Sequence, residues 1–213
     1  MPSDHAPRTR DLPRAAFLIG AVVSFVAGYV GAVTGDGVSF SWRDNMVSDL
    51  GTVGCRTFDG LWICSPRSAW FNAALIVSGV CVLVGTALMR RRWGVLLSLF
   101  AGGLGIGLGL LGLFPSDTHQ QVHMVGAVLA LPVAAAGVLV SAVRPETLWL
   151  HAGRRLRGAL GVVGLTMCLD HVVPGFAPIP RGIAETVAVA TIIAFLGVEG
   201  ARCAAARRTG AGG

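Results

Sequence analysis

The chain of 213 residues contains no lysine, and charged side chains are nearly absent from six long apolar stretches. A helix of about twenty residues crosses a hydrocarbon layer about 30 Å thick, so each stretch is a candidate membrane span. Hydrophobic residues make up 54% of the chain, which leaves little room for a soluble domain. The stretches are residues 15–34, 70–89, 93–113, 122–143, 158–173 and 183–199. We therefore predict an all-α fold, a polytopic bundle of six transmembrane helices in the cell membrane.

All 17 basic residues are arginines, and they are distributed unevenly between the polar segments. Thirteen belong to the N-terminal segment, the second and fourth connections and the tail, and four belong to the odd-numbered connections. Because arginine-rich segments stay in the cytoplasm, both termini are predicted to be cytoplasmic. Residues 1–14 and 201–213 are predicted to be disordered ends of a transmembrane domain at 15–200, whose outer loop is 35–68.

Several missing features exclude whole function classes. The middle of each apolar stretch holds almost no ionisable residue, which argues against proton-coupled or ion-coupled transport. The chain contains no G-x-S-x-G, H-E-x-x-H, Walker A or dinucleotide-binding motif. The net charge of +6 comes from arginines that mostly flank helix ends, where membrane orientation and anionic head groups explain them. The predicted partner is therefore the lipid bilayer, and nucleic acid is not expected.

Two of the five cysteines lie in the predicted outer loop, and the others lie in helices or the inner tail. Cys55 and Cys64 are nine residues apart, and an oxidising compartment favours a disulfide that closes a loop around Phe58 and Trp62. Two unpaired thiols are the alternative. A metal-binding pair is less favoured, because the spacing is longer than that of ordinary zinc knuckles.

The same outer loop is too long for a simple turn. We predict that it contains a short amphipathic element, with Trp42, Val47 and Leu50 directed toward the membrane surface. In the third stretch, glycines four residues apart form two ladders, 103/107 and 105/109, that would let neighbouring backbones approach closely. That helix is predicted to be central in the bundle.

Polar residues suited to chemistry gather at the predicted outer ends of the helices. His119 and His123 are four residues apart, a spacing at which two neutral imidazoles on one helix face can share a metal ion. In the alternative interpretation, Ser116 or Asp117 caps the fourth helix and Gln120 completes a capping box. Bundle packing would bring together Asn45, Ser48 and Asp49 from the first loop, Asp117, His119 and His123 from the second, and Asp170, His171, Arg181 and Glu185 from the third.

These residues suggest roles for a catalytic site. The histidines His119, His123 and His171 would bind a divalent metal such as zinc or carry protons, and the four carboxylates would act as acid–base or orienting groups. Arg181 would hold an anionic group, unless it forms only an interfacial ion pair with Glu185 four residues later.

Four short motifs, taken in order, resemble those of the DUF998 family of bacterial and archaeal integral membrane proteins. They are SDLG at 48–51, FN at 71–72 followed by Gly79, FPSD at 114–117 followed by a histidine, and RGIAE at 181–185. The resemblance extends from about residue 17 to 198 and implies six or so membrane helices. The chain departs from the family pattern in its cysteine-bearing first loop and in Thr186, where an arginine after the glutamate is more typical.

Two functional hypotheses follow. The first is a membrane-embedded enzyme, metal-dependent or acid–base, that acts on a small or lipid-like molecule in an outward-facing pocket of His and Asp residues. The arginine-rich, lysine-free composition is typical of GC-rich bacteria such as actinomycetes. In such bacteria, an enzyme of this kind could tailor specialised metabolites. The second is a non-enzymatic membrane protein for binding, transport or resistance, whose polar groups only cap helices and anchor the interface.

Overall fold

Most of the chain is helical, as the apolar stretches predict, because a helix satisfies its interior backbone hydrogen bonds within one segment. The structure is a computed structural model that describes residues 11–58, 60–172 and 179–209, without the side chains of 170–172 and 207–209. The helices are α1 (Asp11–Val33), α2 (Ser68–Leu113), α3 (Gln120–Val128), α4 (Ala134–Val143), α5 (Leu148–His151), α6 (Arg154–Val172) and α7 (Arg181–Thr209). Between α1 and α2 lie a short 3-10 helix (Val47–Gly51) and strands β1 (Arg56–Phe58) and β2 (Leu61–Ile63).

Helix α2 consists of two antiparallel halves joined at Gly94. This glycine has a φ of 74°, a left-handed conformation that interrupts the helix. The halves pack closely, since a Cβ atom at Gly79 would lie 2.7 Å from the carbonyl oxygen of Gly105. A straight helix of 46 residues would be about 69 Å long, more than twice the thickness of a hydrocarbon layer. The two halves on either side of Gly94 thus correspond to the second and third predicted helices.

Four segments of the described chain are long and apolar enough to cross a membrane: Asp11–Val33, Ser68–Leu113, Gln120–Val143 and Arg181–Ala206. The third of these contains α3 and α4, joined without a break by a π-helical turn at Leu129–Val133. This turn contains Pro132, and a π turn is one way in which a helix accommodates a residue without a backbone N–H.

Both terminal helices extend beyond their predicted bounds. Helix α1 begins at Asp11 and α7 continues to Thr209, so residues 11–14 and 201–209 are helical where disorder was predicted. The Asp11 carboxylate lies 2.7 Å from the Arg92 guanidinium beside the Gly94 turn. This ion pair holds the start of α1 against the bundle, which the apolar pattern alone does not reveal.

The long loop, residues 34–67, packs on one end of the bundle, which we call the loop end; the opposite end, at Gly94, is the turn end. Val47 and Leu50 are only 4% and 1% exposed and belong to the core, whereas Trp42 is 55% exposed. The prediction that Val47 and Leu50 face the membrane surface is therefore wrong. Their 3-10 helix instead packs against α1, α2 and α7.

The disulfide between Cys55 and Cys64 is present, as predicted. It closes a β-hairpin in which β1 and β2 pair antiparallel, with Thr57 opposite Trp62. The hairpin turns at Gly60, which has a φ of 77°. The sequence predicted the crosslink but not the strands between its two cysteines.

The second half of α2 packs between the first half and the α3–α4 segment, so it is not the central helix that the sequence predicted. Each of its two glycine ladders faces one of these neighbours. Gly105 faces the first half of α2, whereas Gly107 faces α3, where its Cβ would lie 2.7 Å from the Gly126 carbonyl oxygen. Gly109 lies with Gly105 on the side of the first half, since a Cβ at Gly79 would lie 3.0 Å from the backbone nitrogen of Gly109. Glycines two residues apart point to opposite sides of a helix, so they serve two neighbours instead of one.

At the turn end, the carboxylate of Glu199 gathers side chains from three other elements. It accepts hydrogen bonds from the indole nitrogens of Trp93 and Trp149, at 3.0 and 2.6 Å. The guanidinium groups of Arg202 and Arg157 lie 2.6 and 3.5 Å away. Glu199 is fully buried, so these partners replace the hydration of its charge.

Candidate functional site

A cavity of about 120 Å³ lies at the loop end, between the long loop, α3, α6 and α7. We call it the polar cavity. Its polar lining includes Ser48, Asp49, Arg56, Gln120, His123 and Glu185. These six residues come from three segments that are far apart in the chain, so the folded bundle is needed to assemble them.

A second cavity of about 50 Å³ lies deeper in the bundle and is lined mainly by leucine, isoleucine, valine and phenylalanine side chains. We call it the apolar cavity. Ser48, His123 and Glu185 line both cavities and therefore stand between them. Leu131, in the π-helical turn, also lines both, and such turns are frequent at functional sites.

Glu185 connects α7 to the 3-10 helix of the long loop. Its carboxylate accepts a hydrogen bond of 2.7 Å from the backbone N–H of Val47. The backbone and side chain of Ser48 also hydrogen-bond to it. A carboxylate at the first N–H groups of a helix is favourable because those donors have no partner within the helix. Glu185 thus holds the long loop in place at the boundary between the two cavities.

Asp49 is also bound within the long loop. Its carboxylate accepts hydrogen bonds from the backbone N–H of Met46, at 2.9 Å, and from the side-chain amide of Asn45, at 3.2 Å. Asn45 in turn accepts a hydrogen bond from the backbone of Ser41. The structure therefore brings Asn45, Ser48, Asp49 and Glu185 together, as the sequence predicted, with Asn45 and Asp49 buried.

Asp117 ties the long loop to the segment before α3. One carboxylate oxygen accepts hydrogen bonds from the backbone N–H groups of Val53 and Gly54, at 2.9 and 3.0 Å. The predicted capping role of Asp117 or Ser116 is wrong, because α3 begins at Gln120 and the residue before it occupies the N-cap position. Asp117 therefore acts on the long loop instead of on the helix.

The two histidines of this region have different surroundings. His123 is 5% exposed, lines both cavities, and places Nδ1 3.0 Å from the carbonyl oxygen of Phe114. His119 is exposed, with its ring edge-on to Phe114 and Nδ1 3.1 Å from the Thr118 hydroxyl. His119 is the N-cap residue, with a φ of −140°, so the helical geometry assumed for the pair does not extend to it.

The remaining predicted residues lie in the third outer segment. Asp170 and His171 belong to the last turn of α6, but their side chains lie outside the described residues. The Arg181 guanidinium donates a hydrogen bond of 3.0 Å to the carbonyl oxygen of Asp44. Arg181 and Glu185 therefore both bind the long loop.

Among the described side chains, no group of three or more His, Cys, Asp or Glu residues is placed to hold a metal ion, so zinc binding stays a prediction.

Arg56 is a lining residue that the sequence analysis counted only as one of the outer positive charges. It lies on β1, lines the polar cavity, and has its guanidinium carbon 5.2 Å from the centre of the Phe58 ring. Within the described part of the chain, its buried Nε has no hydrogen-bond partner. The sequence feature that could have identified Arg56 is its place between a loop-closing cysteine and an aromatic residue.

Comparison with known proteins identifies the family of the chain. The sequence model described as "Protein of unknown function (DUF998)" matches residues 18–202, which is most of the chain. No curated protein and no solved structure matched. The resemblance carried by the four motifs is thus confirmed over nearly the range predicted for it. The chain belongs to the DUF998 family and has the apolar helices of a membrane protein.

Proposed function

We propose that the protein crosses the cell membrane six times, with both termini in the cytoplasm and the loop end outside. The fold of α2 at Gly94 gives two crossings from one apolar segment, and α1, α3–α4 and α7 give three more. Helix α6 has 19 residues, a length of about 28 Å, and supplies the sixth. The division of arginines, 13 to 4, then favours the turn end as the cytoplasmic one.

We also propose that the polar cavity binds a lipid-like molecule and carries out acid–base chemistry on it. The observation that carries this proposal is that the polar and apolar cavities share Ser48, His123 and Glu185. A molecule with a polar group in one cavity and an apolar group in the other would contact all three side chains. A dry cavity of about 150 Å³ can accommodate benzene, so these spaces suit part of a lipid-like molecule and not a whole phospholipid.

The rim of the polar cavity supports entry from the bilayer. Met124 and Val128, on α3, line the cavity and are 47% and 48% exposed. In a membrane-spanning helix, such exposed apolar side chains face lipid. The rest of the bound molecule can therefore extend past these residues into the hydrocarbon layer.

His123 is the residue best placed to accept a proton. The Phe114 carbonyl oxygen beside Nδ1 can only accept a hydrogen bond, so Nδ1 carries the proton of a neutral ring. Nε2 then has a free lone pair at the boundary of the two cavities. It can accept a proton from an acidic group of the bound molecule, and the resulting imidazolium can return that proton to another atom of the same molecule.

A second candidate function, binding or transport without chemistry, is favoured by the hydrogen bonds of the carboxylates. Asp49, Asp117 and Glu185 each accept backbone N–H groups of the long loop. These hydrogen bonds give the three carboxylates a structural role that a protein without catalytic activity also needs. The two candidate functions share the cavity and differ in whether the bound molecule is altered.

Binding is tested by a pair of adjacent substitutions on α3. Met124→Trp would fill the rim of the polar cavity, whereas Val125→Trp alters a residue that is 55% exposed and outside the cavity lining. Amphiphiles are extracted from each protein after purification in an uncharged detergent and identified by mass spectrometry. We expect a species that is retained by the wild type and Val125→Trp and lost from Met124→Trp. Identical extracts from all three proteins would contradict the proposal.

Chemistry is tested by two substitutions of His123. Asn would keep a donor near the Phe114 carbonyl but lack Nε2, whereas Gln would place a polar group near Nε2 but lose the donor. If His123 is the base, the Asn variant retains the amphiphile only in its unreacted form, while the wild type also yields a second form that separates from it by chromatography before the mass spectrometer. The same species in both extracts would favour the binding function.

A further inference from the structure

We infer that Arg56 selects an oxyanion-headed amphiphile as the molecule bound in the polar cavity. This inference rests on the proposed function, because it concerns the same cavity, and it names the class of ligand. The oxyanion is a carboxylate or a phosphate. Each of these groups presents two oxygens that a guanidinium group can bind with a pair of hydrogen bonds.

The first support is an unmatched charge in the cavity lining. Arg56 lines the polar cavity, and in the described part of the chain it forms no ion pair with a carboxylate. Its Nε is buried without a hydrogen-bond partner. A buried donor that lacks an acceptor costs free energy, and an anionic group of a ligand would remove that cost.

The second support is that this arginine is held in place. Its strand lies between the disulfide-bonded Cys55 and Cys64, and its guanidinium carbon lies 5.2 Å from the centre of the Phe58 ring. The residues just before the disulfide are bound to the Asp117 carboxylate. A guanidinium that is already ordered loses less conformational entropy when it binds an anion.

The distribution of charge across the cavity decides where an oxyanion would lie. Asp49 and Glu185 belong to the lining, and both carboxylates are bound by N–H groups of the long loop. An oxyanion near them would be repelled, whereas one near Arg56 would be attracted. The head group is therefore oriented toward the hairpin, which leaves His123 beside the part of the molecule that lies between the two cavities.

Arg181, which the sequence suggested as the anion-binding residue, is less suitable. Its Nε donates to the Asp44 carbonyl oxygen, and it is not among the residues that line the polar or the apolar cavity.

The test compares Arg56→Gln with Arg43→Gln, which removes an arginine of the same loop whose side chain is 76% exposed. Native mass spectrometry in an uncharged detergent gives the affinities of hexadecyl phosphate, palmitate and uncharged hexadecyl glycerol. We expect the wild type and Arg43→Gln to bind at least one of the two anions roughly 10- to 100-fold more tightly than the glycerol ether. Arg56→Gln should lose this preference, and Arg56→Lys should keep part of it. The two anions compared with each other identify the head group.

Equal affinities for all three amphiphiles in the wild type, or a preference unchanged by Arg56→Gln, would overturn the inference and leave the proposed cavity intact. If none of the three amphiphiles binds and Met124→Trp does not alter the extracted species, the proposed function itself fails. These two failures are distinguishable, since only the first leaves binding that Met124→Trp abolishes.

Discussion

Glu199 is the residue on which the turn end depends most. Its buried carboxylate is shared by two indole N–H groups and two guanidinium groups from α2, α5, α6 and α7. Arg157, one of these partners, has a side chain only 3% exposed. Removing one charge from such a buried pair leaves the other without compensation, which is far more costly than losing an exposed pair.

We predict that Glu199→Gln destabilises the protein by about 3 kcal/mol, because the amide keeps acceptors for the indoles but leaves Arg157 charged and unpaired. The measurement is thermal unfolding in detergent, followed by tryptophan fluorescence. Glu146→Gln is the control, since Glu146 is an exposed carboxylate at the same end and the amide oxygen can still accept its hydrogen bond from the Leu96 N–H, so the change should stay within about 0.5 kcal/mol. Equal melting temperatures for the two variants would show that the Glu199 cluster contributes little.

Single residues were predictable from the sequence where the side of the bundle on which they lie was clear. Asn45, Ser48 and Asp49 of the first outer loop lie close to His123 and Glu185 near predicted helix ends, as expected for residues on the same side of the bundle. The pairing with His119 assumed a helix that already includes that residue, and the helix begins one residue later. Glu199 and Arg56 were missed because their importance comes from partners or neighbours that are distant in the chain.

At the scale of elements, the disulfide-closed hairpin invites a direct test. Cys55→Ser combined with Cys64→Ser opens a loop of about ten residues, and we predict a loss of roughly 2 to 3 kcal/mol in stability. In the wild type, both thiols should resist alkylation until a reductant is added. Binding of hexadecyl phosphate should weaken in the double variant, since the strand that carries Arg56 is no longer held.

Cys81→Ala is the matched control for this experiment, because it removes a half-buried free cysteine of α2. Its melting temperature and its affinity for hexadecyl phosphate should stay close to those of the wild type. Labelling of Cys55 and Cys64 without reductant would contradict the disulfide. Unchanged binding by the double variant would show that the hairpin is ordered without it.

The elements differ in how far their sequences determine them. Long apolar stretches predicted the helices well, because a span needs about twenty apolar residues and little else. The 3-10 helix at Val47–Gly51 and the three-residue strands β1 and β2 are too short for a periodic pattern. They depend on contacts with the bundle and on the disulfide, so the sequence indicated a structured loop but not its form.

At the scale of the whole molecule, the two ends of the bundle have different characters. The turn end is closed by buried charges around Glu199 and by the ion pair between Asp11 and Arg92. The loop end contains the polar cavity, whose rim includes exposed apolar side chains. A molecule from the bilayer would therefore reach the site from the loop end, and the orientation of the chain decides which leaflet supplies it.

The orientation can be tested through the parity of the crossings. Without α6, the folded α2 and the three other apolar segments give five crossings, which would place the termini on opposite sides of the membrane. With α6 they give six, and the division of arginines then predicts that both termini are cytoplasmic. A fluorescent reporter before Met1 or after Gly213 should therefore fold in the cytoplasm, and a phosphatase reporter inserted after Gly60 should be active outside. Termini on opposite sides would show that α6 does not cross the membrane. An inactive phosphatase at Gly60 would instead place the loop end, and with it the polar cavity, on the cytoplasmic side.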